Sequence, residues 1–145
     1  MISCEIRPGS RILFTVARLL IIDDDVTVTL TLARMLEFEG HVVEAVESAQ
    51  AALDALDRQL PDAIILDMRM PGMGGLEFLR RVRTAPATTG MPVGVVTGDY
   101  FLKDAVLEEL ATLGAVLRYR PLWLDDLSAL TRTLLGQRAA EPQRS

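Results

Sequence analysis

Three aspartates follow two short apolar runs of the sequence, and their residue type and positions could support chemistry. Asp23 and Asp24 come directly after the run LLII at 19–22, and Asp67 comes directly after IIL at 64–66. Short continuous apolar runs are typical of strands that are buried on both faces of a parallel sheet. A carboxylate just after such a strand lies at the carboxyl edge of the sheet, where open α/β folds bind ligands. Aspartates also cap turns, so the position of Asp67 alone leaves both roles open.

The chemistry of these acids follows from their mutual repulsion if they meet. Carboxylates about 4 Å apart repel by a few kcal/mol per pair at an effective dielectric near 20. Mg²⁺ offsets such repulsion because it takes carboxylate, carbonyl and water oxygens, and it also neutralises an incoming phosphoryl group. This pattern therefore predicts a Mg²⁺ site formed by Asp23, Asp24 and Asp67, in which an aspartate can act as a nucleophile toward phosphorus.

Two further polar residues end later strands of the predicted sheet. Thr97 ends the fourth strand before Gly98, which leaves room beside its hydroxyl for a phosphoryl oxygen, and Arg120 ends the fifth before Pro121. Arg120 supplies a permanent cation with several donors. Singly, a threonine of this kind is more often a plain strand former and an arginine a solvated charge. Their joint occurrence at two strand ends favours a role in the site.

The elements that must position these residues alternate along the chain. Strands are predicted at 19–22, 41–45, 64–66, 93–97 and 115–119, and helices at 26–39, 49–58, 74–83, 102–113 and from 123 or 124 to 135. The Val-Thr alternation after residue 26 imitates a strand, but no turn residue occurs before Gly40, so a helix is preferred.

This alternation predicts an α/β fold, a three-layer doubly wound parallel sheet of five strands in the order 2-1-3-4-5, which is a flavodoxin-like topology. In that order the first and third strands are neighbours at the switch point. Asp23, Asp24 and Asp67 should then converge.

Length and composition limit the class of protein. A chain of 145 residues suits one domain, and Cys4 is its single cysteine, which excludes an internal disulfide and favours the cytoplasm. The net charge of −5 disfavours nucleic acid as a direct partner, and no apolar run is long enough to span a membrane. We predict an N-terminal leader of unknown role at 1–17, the domain at 18–136 and a polar tail at 137–145.

The motifs around these residues resemble those of receiver (CheY-like) domains of two-component response regulators. The resemblance covers roughly residues 18–136 and rests on LLIIDDD at 19–25, DMRMPGMGGLE at 67–77, VVTG at 95–98 and RP at 120–121. It implies that Asp67 accepts a phosphoryl group from a sensor histidine kinase or a phosphotransfer protein.

The resemblance also implies a role for each of the other site residues. Asp24 would ligate Mg²⁺ directly, Asp23 would support it through water, and the backbone carbonyl of Arg69 would complete the protein's ligands. Thr97 would bond a phosphoryl oxygen and move inward on activation. Arg120 would pair with the phosphoryl group.

Two positions depart from the pattern of the family. Receivers carry lysine where this chain has Arg120, although the bond from Arg120 to Pro121 is still expected to be cis. They also favour a rotating Tyr or Phe at the position of Leu117, which has no ring to report a movement of Thr97. Tyr119 should point to the same face two residues nearer the strand end, as an imperfect substitute.

A second pair of positions concerns access of water to the site. Arg69 and Asp99 lie two residues past Asp67 and Thr97, and by the resemblance they flank the route of a hydrolysing water. We expect an ion pair across the mouth of the site that slows loss of the phosphoryl group. The alternative is two independently solvated charges.

The predicted function is therefore a single-domain response regulator that signals by protein-protein interaction. Its output face would be the fourth helix, fifth strand and fifth helix, with a homodimer as a further option, and its activity would not exceed autophosphorylation from small donors and autodephosphorylation. The alternative is a degenerate receiver that acts as a phosphorylation-independent interaction or dimerisation module. A phosphatase would need a second acid at the position of Arg69, and flavin binding would need a hydroxyl-rich loop after the first strand.

Overall fold

Five strands and five helices alternate through residues 16–140, the part of the chain that the computed structural model describes. The strands are β1 (Arg18–Ile22), β2 (Val42–Val46), β3 (Ala63–Leu66), β4 (Val93–Thr97) and β5 (Val116–Tyr119). The helices are α1 (Val26–Phe38), α2 (Ala49–Arg58), α3 (Gly75–Thr84), α4 (Asp104–Thr112) and α5 (Leu124–Ala140). The predicted order of elements is confirmed.

The strands form one parallel sheet in the order β2-β1-β3-β4-β5, as predicted. In β1 and β3, Ile22 is the register partner of Leu66, and the N–H of Asp67 donates to the carbonyl of Ile22 at 2.9 Å. Asp23 and Asp67 therefore leave the sheet side by side. In the same way Thr97 of β4 is paired with Tyr119 of β5, which places Thr97 next to Arg120.

Apolar side chains cover both faces of the sheet, which gives the predicted three layers. One face packs against α2, α3 and α4, where Phe78 is fully buried, and the other packs against α1 and α5. The strand β3 shows the division, because Ile64 and Leu66 belong to the first cluster while Ala63 and Ile65 belong to the second. Burial of each large aliphatic side chain contributes roughly 1.5–3 kcal/mol, so the core holds the strand ends in place.

Helix ends follow local signals in the sequence. The side chain of Ser48 accepts from the N–H of Ala51 and caps α2, as predicted. Asp25 caps α1 by accepting from Thr27 at 3.0 Å and Val28 at 3.2 Å, so this third acid of the run is structural. Gly40 follows α1 with a positive φ of 95°, a conformation that costs glycine little.

The last helix is longer than predicted. The expected end near Leu135 is wrong, because α5 continues to Ala140 and makes residues 137–140 of the predicted polar tail helical. A glycine inside a helix costs about 1 kcal/mol relative to alanine. The residues after Gly136 are Gln, Arg and two Ala, which favour the helix, so the helix continues past this glycine. Residues 1–15 of the predicted leader and 141–145 of the tail lie outside the described residues.

None of the helices within residues 16–140 has the length and apolar character required to cross a bilayer.

A close approach between α3 and the end of β3 fixes the backbone around Asp67. A Cβ at Gly75 would lie 2.6 Å from the carbonyl oxygen of Asp67 and 2.9 Å from the Cα of Met68. At the neighbouring Gly74 the nearest atom would be 3.8 Å away. The first residue of α3 is therefore required to be glycine.

We predict that Gly75→Ser destabilises the protein by about 1–3 kcal/mol, the usual cost of overpacking a rigid site. The matched control, Gly74→Ser, has room for its side chain and adds an N-cap hydroxyl, so its stability should equal or exceed that of the wild type. Urea unfolding of the two variants measures the difference, and equal midpoints would contradict the prediction.

Candidate functional site

The three predicted acids meet at the carboxyl ends of β1 and β3. Asp23, Asp24 and Asp67 each place one carboxylate oxygen within 4.8 Å of the other two. Asp23 and Asp67 are 2% and 7% exposed, whereas Asp24 faces solvent. The convergence predicted from the strand order is therefore observed, and two of the carboxylates are largely removed from water.

This burial changes the acidity of Asp67. Desolvation first, and the neighbouring Asp23 carboxylate second, raise the pKa of Asp67 to about 6. The Arg120 charge and the backbone N–H of Arg69 oppose this rise without cancelling it. Ionised Asp67 is thus an energetically costly group in the folded protein.

Arg120 supplies positive charge to the same cluster. Its Nη2 donates to Asp23 Oδ2 and lies 3.7 Å from Asp67 Oδ1. The bond from Arg120 to Pro121 is cis, as expected, and the side chain points to the acids rather than to solvent. Its Nε is buried and has no acceptor among the described residues. Arg120 therefore meets the acids through Nη2.

Thr97 lies next to this cluster at the end of β4. It is 1% exposed, its hydroxyl oxygen accepts from the N–H of Asp99 at 3.1 Å, and its carbonyl accepts from the N–H of Arg120 at 2.9 Å. A cavity of about 400 Å³ is lined by Asp67, Thr97 and Arg120, together with Arg69 and the loop 98–101. The nucleophile, hydroxyl and cation predicted from the sequence therefore share one cavity.

The predicted ion pair between Arg69 and Asp99 is present at the same cavity. Arg69 Nη2 lies 2.7 Å from Asp99 Oδ2, and the other oxygen of Asp99 accepts from the N–H of Phe101 at 2.9 Å. The Phe101 N–H first, and the Arg69 guanidinium after it, lower the pKa of Asp99. Exposed ion pairs add little to stability, so the importance of this pair lies in its position.

Sequence reasoning missed the part played by Tyr100. Its hydroxyl donates to the carbonyl of Arg120, and its ring stacks on that of Tyr119 with centroids 5.3 Å apart. Leu117 is half-buried and packs against the core. The sequence shows only that an aromatic residue follows Gly98 by two positions. Hydrophobic periodicity does not predict which partner such a loop residue contacts.

Comparison with known proteins identifies the family. The sequence matches the response regulator receiver domain over residues 19–116. The response regulator MprA of Mycolicibacterium vanbaalenii is 37% identical over 123 residues, which is 81% of this chain and 50% of that protein. MprA of Mycobacterium avium is 37% identical over 129 residues, which is 86% of this chain and 53% of that protein. The chain belongs to the response regulator receiver domain family and spans about half the length of these relatives.

Solved structures show the same fold. A putative response regulator from Chloroflexus aurantiacus has a TM-score of 0.76 and 29% identity, covering 84% of this chain and 99% of that one. The chemotaxis protein CheY4 of Vibrio cholerae also has a TM-score of 0.76, with 24% identity over 83% of this chain and all of its own. The predicted flavodoxin-like receiver fold is confirmed.

The raised pKa of Asp67 predicts a pH-dependent cost in the metal-free protein. Because the folded state holds the proton more tightly than the unfolded state, stability contributed by this group is complete below about pH 4 and is lost as the pH rises to about 6. A pKa change from 3.8 to about 6 corresponds to at most roughly 3 kcal/mol at neutral pH. In EDTA, Asp67→Asn should therefore raise the Tm, by more at pH 7.5 than at pH 4.5.

Thermal melts of wild type, Asp67→Asn and the exposed α2 variant Asp57→Asn test this prediction. The control should leave the Tm nearly unchanged at both values of pH. A gain for Asp67→Asn that is the same at both values would show that the Asp67 carboxylate carries no such cost.

Proposed function

We propose that this receiver domain accepts a phosphoryl group on Asp67 from the phosphohistidine of a sensor kinase or phosphotransfer protein, and signals by binding another protein. The observation that carries this proposal is the meeting of Asp23, Asp24 and Asp67 with Arg120 at one edge of the sheet. The receiver unit at 18–136 and the cytoplasmic location stay predictions.

In the transfer, a carboxylate oxygen of Asp67 attacks phosphorus. The bond from phosphorus to the donor nitrogen breaks, and the imidazole of the donor leaves with the electron pair. A pKa of about 6 keeps Asp67 mostly ionised at neutral pH, as a nucleophile requires. Thr97 would donate its hydroxyl, and Arg120 its guanidinium, to the oxygens of the transferred group.

The acids fit Mg²⁺. Their donors are all carboxylate oxygens, which this hard cation prefers, and Asp24 is exposed where an ion that keeps several waters could reach it. When bound, the ion supplies positive charge against the acids and the phosphoryl oxygens. We assign Asp24 and Asp67 as direct ligands, Asp23 as their support and the backbone carbonyl of Arg69 as the remaining protein oxygen.

A phosphorylation-independent module is the weaker interpretation. Burial of two neighbouring carboxylates around one arginine costs desolvation free energy. A module that only binds another protein does not need this buried charged cluster. Arg120 differs from the lysine of the family, yet it keeps a permanent charge within 3.7 Å of Asp67. The activity we propose is limited to autophosphorylation from small donors and autodephosphorylation, besides acceptance from the kinase.

The proposed output surface is formed by α4, β5 and α5. Aromatic side chains on and near it are exposed, with Tyr119 37%, Trp123 68% and Phe101 89% accessible. Exposed apolar groups in proximity are typical of protein-binding sites. We therefore propose a downstream protein partner at this surface, and a second copy of the chain as the other candidate.

The central test is covalent modification of the intact chain. After incubation with Mg²⁺ and acetyl phosphate or phosphoramidate, wild type should gain the mass of one phosphoryl group, while Asp67→Asn should gain none. Asp57→Asn is the control and should be modified as wild type is. If wild type takes up no phosphoryl group from saturating donor, the proposed function fails and the phosphorylation-independent module is supported.

We predict that the Arg69–Asp99 ion pair prolongs the lifetime of the phosphorylated form relative to a variant without the pair. The pair lies at the cavity that holds Asp67, so Asp99→Ala should open a route for water and shorten the lifetime of the phosphoaspartate several-fold. The lifetime is measured by the decay of the phosphorylated mass after removal of the donor.

The matched control is Glu109→Ala. It breaks a comparably exposed pair, Arg80–Glu109, which bridges α3 and α4 and does not line the cavity. The control should decay as wild type does. An unchanged lifetime in Asp99→Ala would remove the ion pair from the account of hydrolysis.

A further inference from the structure

The one histidine of the chain, His41, bonds to the backbone at the amino-terminal end of the sheet, opposite the acids. The N–H of Ala17, the residue directly before β1, donates to Nδ1 of His41 at 3.1 Å. The carbonyl of Ala17 accepts from the N–H of Val42 at 2.9 Å. Ala17 is buried and His41 is half-buried. The entry of the chain into β1 is therefore held by His41 and Val42 together.

This hydrogen bond fixes the protonation state of the imidazole. A ring nitrogen that accepts a hydrogen bond carries no proton, so His41 is neutral and its proton lies on Nε2. A second proton would bind to Nδ1 and would face the N–H of Ala17. Two donors cannot bond to each other, and a buried N–H that loses its acceptor is unfavourable. Protonation of His41 and the bond to Ala17 therefore exclude each other.

The backbone of His41 cannot move to relieve that conflict without breaking other bonds. The N–H of His41 donates to the carbonyl of Leu36 at 3.2 Å, just after the turn at Gly40, and the next N–H, that of Val42, is bonded to Ala17. A protonated ring must therefore turn away, or residues 16 and 17 must leave the sheet. Either movement separates Nδ1 from the Ala17 N–H.

The surroundings of His41 favour its neutral form. Burial is the largest cause that lowers the pKa of His41, and the Glu39 charge opposes it. Glu39 also accepts from the hydroxyl of Ser128 on α5 at 2.6 Å. Neighbouring elements carry four further ionisable groups, which are Glu37 on α1, Arg18 on β1, Glu44 on β2 and Asp62 before β3. Arg18 lies 3.5 Å from Glu44, and Asp62 accepts from the Arg18 N–H at 2.8 Å.

We propose that the His41–Ala17 contact is a pH-sensitive switch, which holds residues 16 and 17 against β2 when the imidazole is neutral and releases them when it is protonated. The stability that neutral His41 contributes is complete above about pH 6.5, the ordinary pKa of histidine, and is lost as the pH falls through the lowered pKa of the folded protein. The switch lies at the opposite end of β1 from Asp23 and does not depend on the proposed function.

The test is an NMR titration of the ¹⁵N-labelled full chain between pH 7.5 and pH 4.5, without Mg²⁺ or a phosphodonor. The single histidine gives one set of imidazole signals. On acidification the amide signal of Ala17 should shift with the same midpoint as the imidazole. Its protection from hydrogen exchange, corrected for the intrinsic effect of pH, should fall by about tenfold or more. The amide of Arg18, which donates to Asp62, should keep its protection.

Three variants assign the transition to His41. In His41→Asn an amide oxygen replaces Nδ1 as the acceptor on Cγ and does not titrate, so the protection of Ala17 should be the same at both ends of the titration. His41→Leu has no acceptor and should lose the protection at every pH. Asp67→Asn removes the other group with a pKa of about 6, and the Ala17 transition should remain.

Each possible result bears on the switch. An Ala17 amide that stays protected while the imidazole titrates overturns it, and so does an equal transition in His41→Asn. Loss of the transition in Asp67→Asn would assign it to the acids and would also overturn the switch. If His41→Leu does not fold, wild type and His41→Asn still decide. None of these results bears on phosphorylation of Asp67, which its own test decides separately.

Discussion

The repulsion between two buried carboxylates, Asp23 and Asp67, is the interaction on which the site depends. Both follow register-paired residues of β1 and β3, so the sheet itself brings them together. Arg120 contacts Asp23 directly and is farther from Asp67. The positive charge is therefore shared unequally, and Asp67 keeps the raised pKa of about 6. A group that is left under-compensated in this way binds a cation or an esterifying group with a gain in free energy.

The rest of the fold opposes that repulsion. The strands β1 and β3 are buried on both faces between two apolar layers, and their ends cannot separate without exposing that core. Gly75 lets α3 begin directly against the Asp67 carbonyl, which restrains the backbone from the other side. Hydrophobic burial thus supplies the free energy that holds the acids close, and the acids supply the chemistry.

Much of this arrangement could be predicted from the sequence because it follows from chain order. Apolar runs mark the parallel strands, and the handedness of βαβ crossovers restricts the sheet order, so the meeting of Asp23 and Asp67 required no knowledge of side-chain geometry. The role of Asp25 as a helix cap depends on which way one of three consecutive acids turns. The stacking of Tyr100 depends on the conformation of a loop. Neither the Asp25 cap nor the Tyr100 stacking produces a repeating pattern in the sequence, so neither could be predicted from it.

Arg120 lies between the two buried acids and does not satisfy them equally. Its Nη2 contacts Asp23, and the same nitrogen lies 3.7 Å from Asp67. Its Nε remains buried without an acceptor in the described part of the chain. A buried unsatisfied donor costs about 1–3 kcal/mol. The site therefore carries two unfavourable features, the desolvated Asp67 carboxylate and the unpartnered Nε of Arg120, and the packed core must offset both. The backbone of Arg120 is also held in place, because its carbonyl accepts from the Tyr100 hydroxyl.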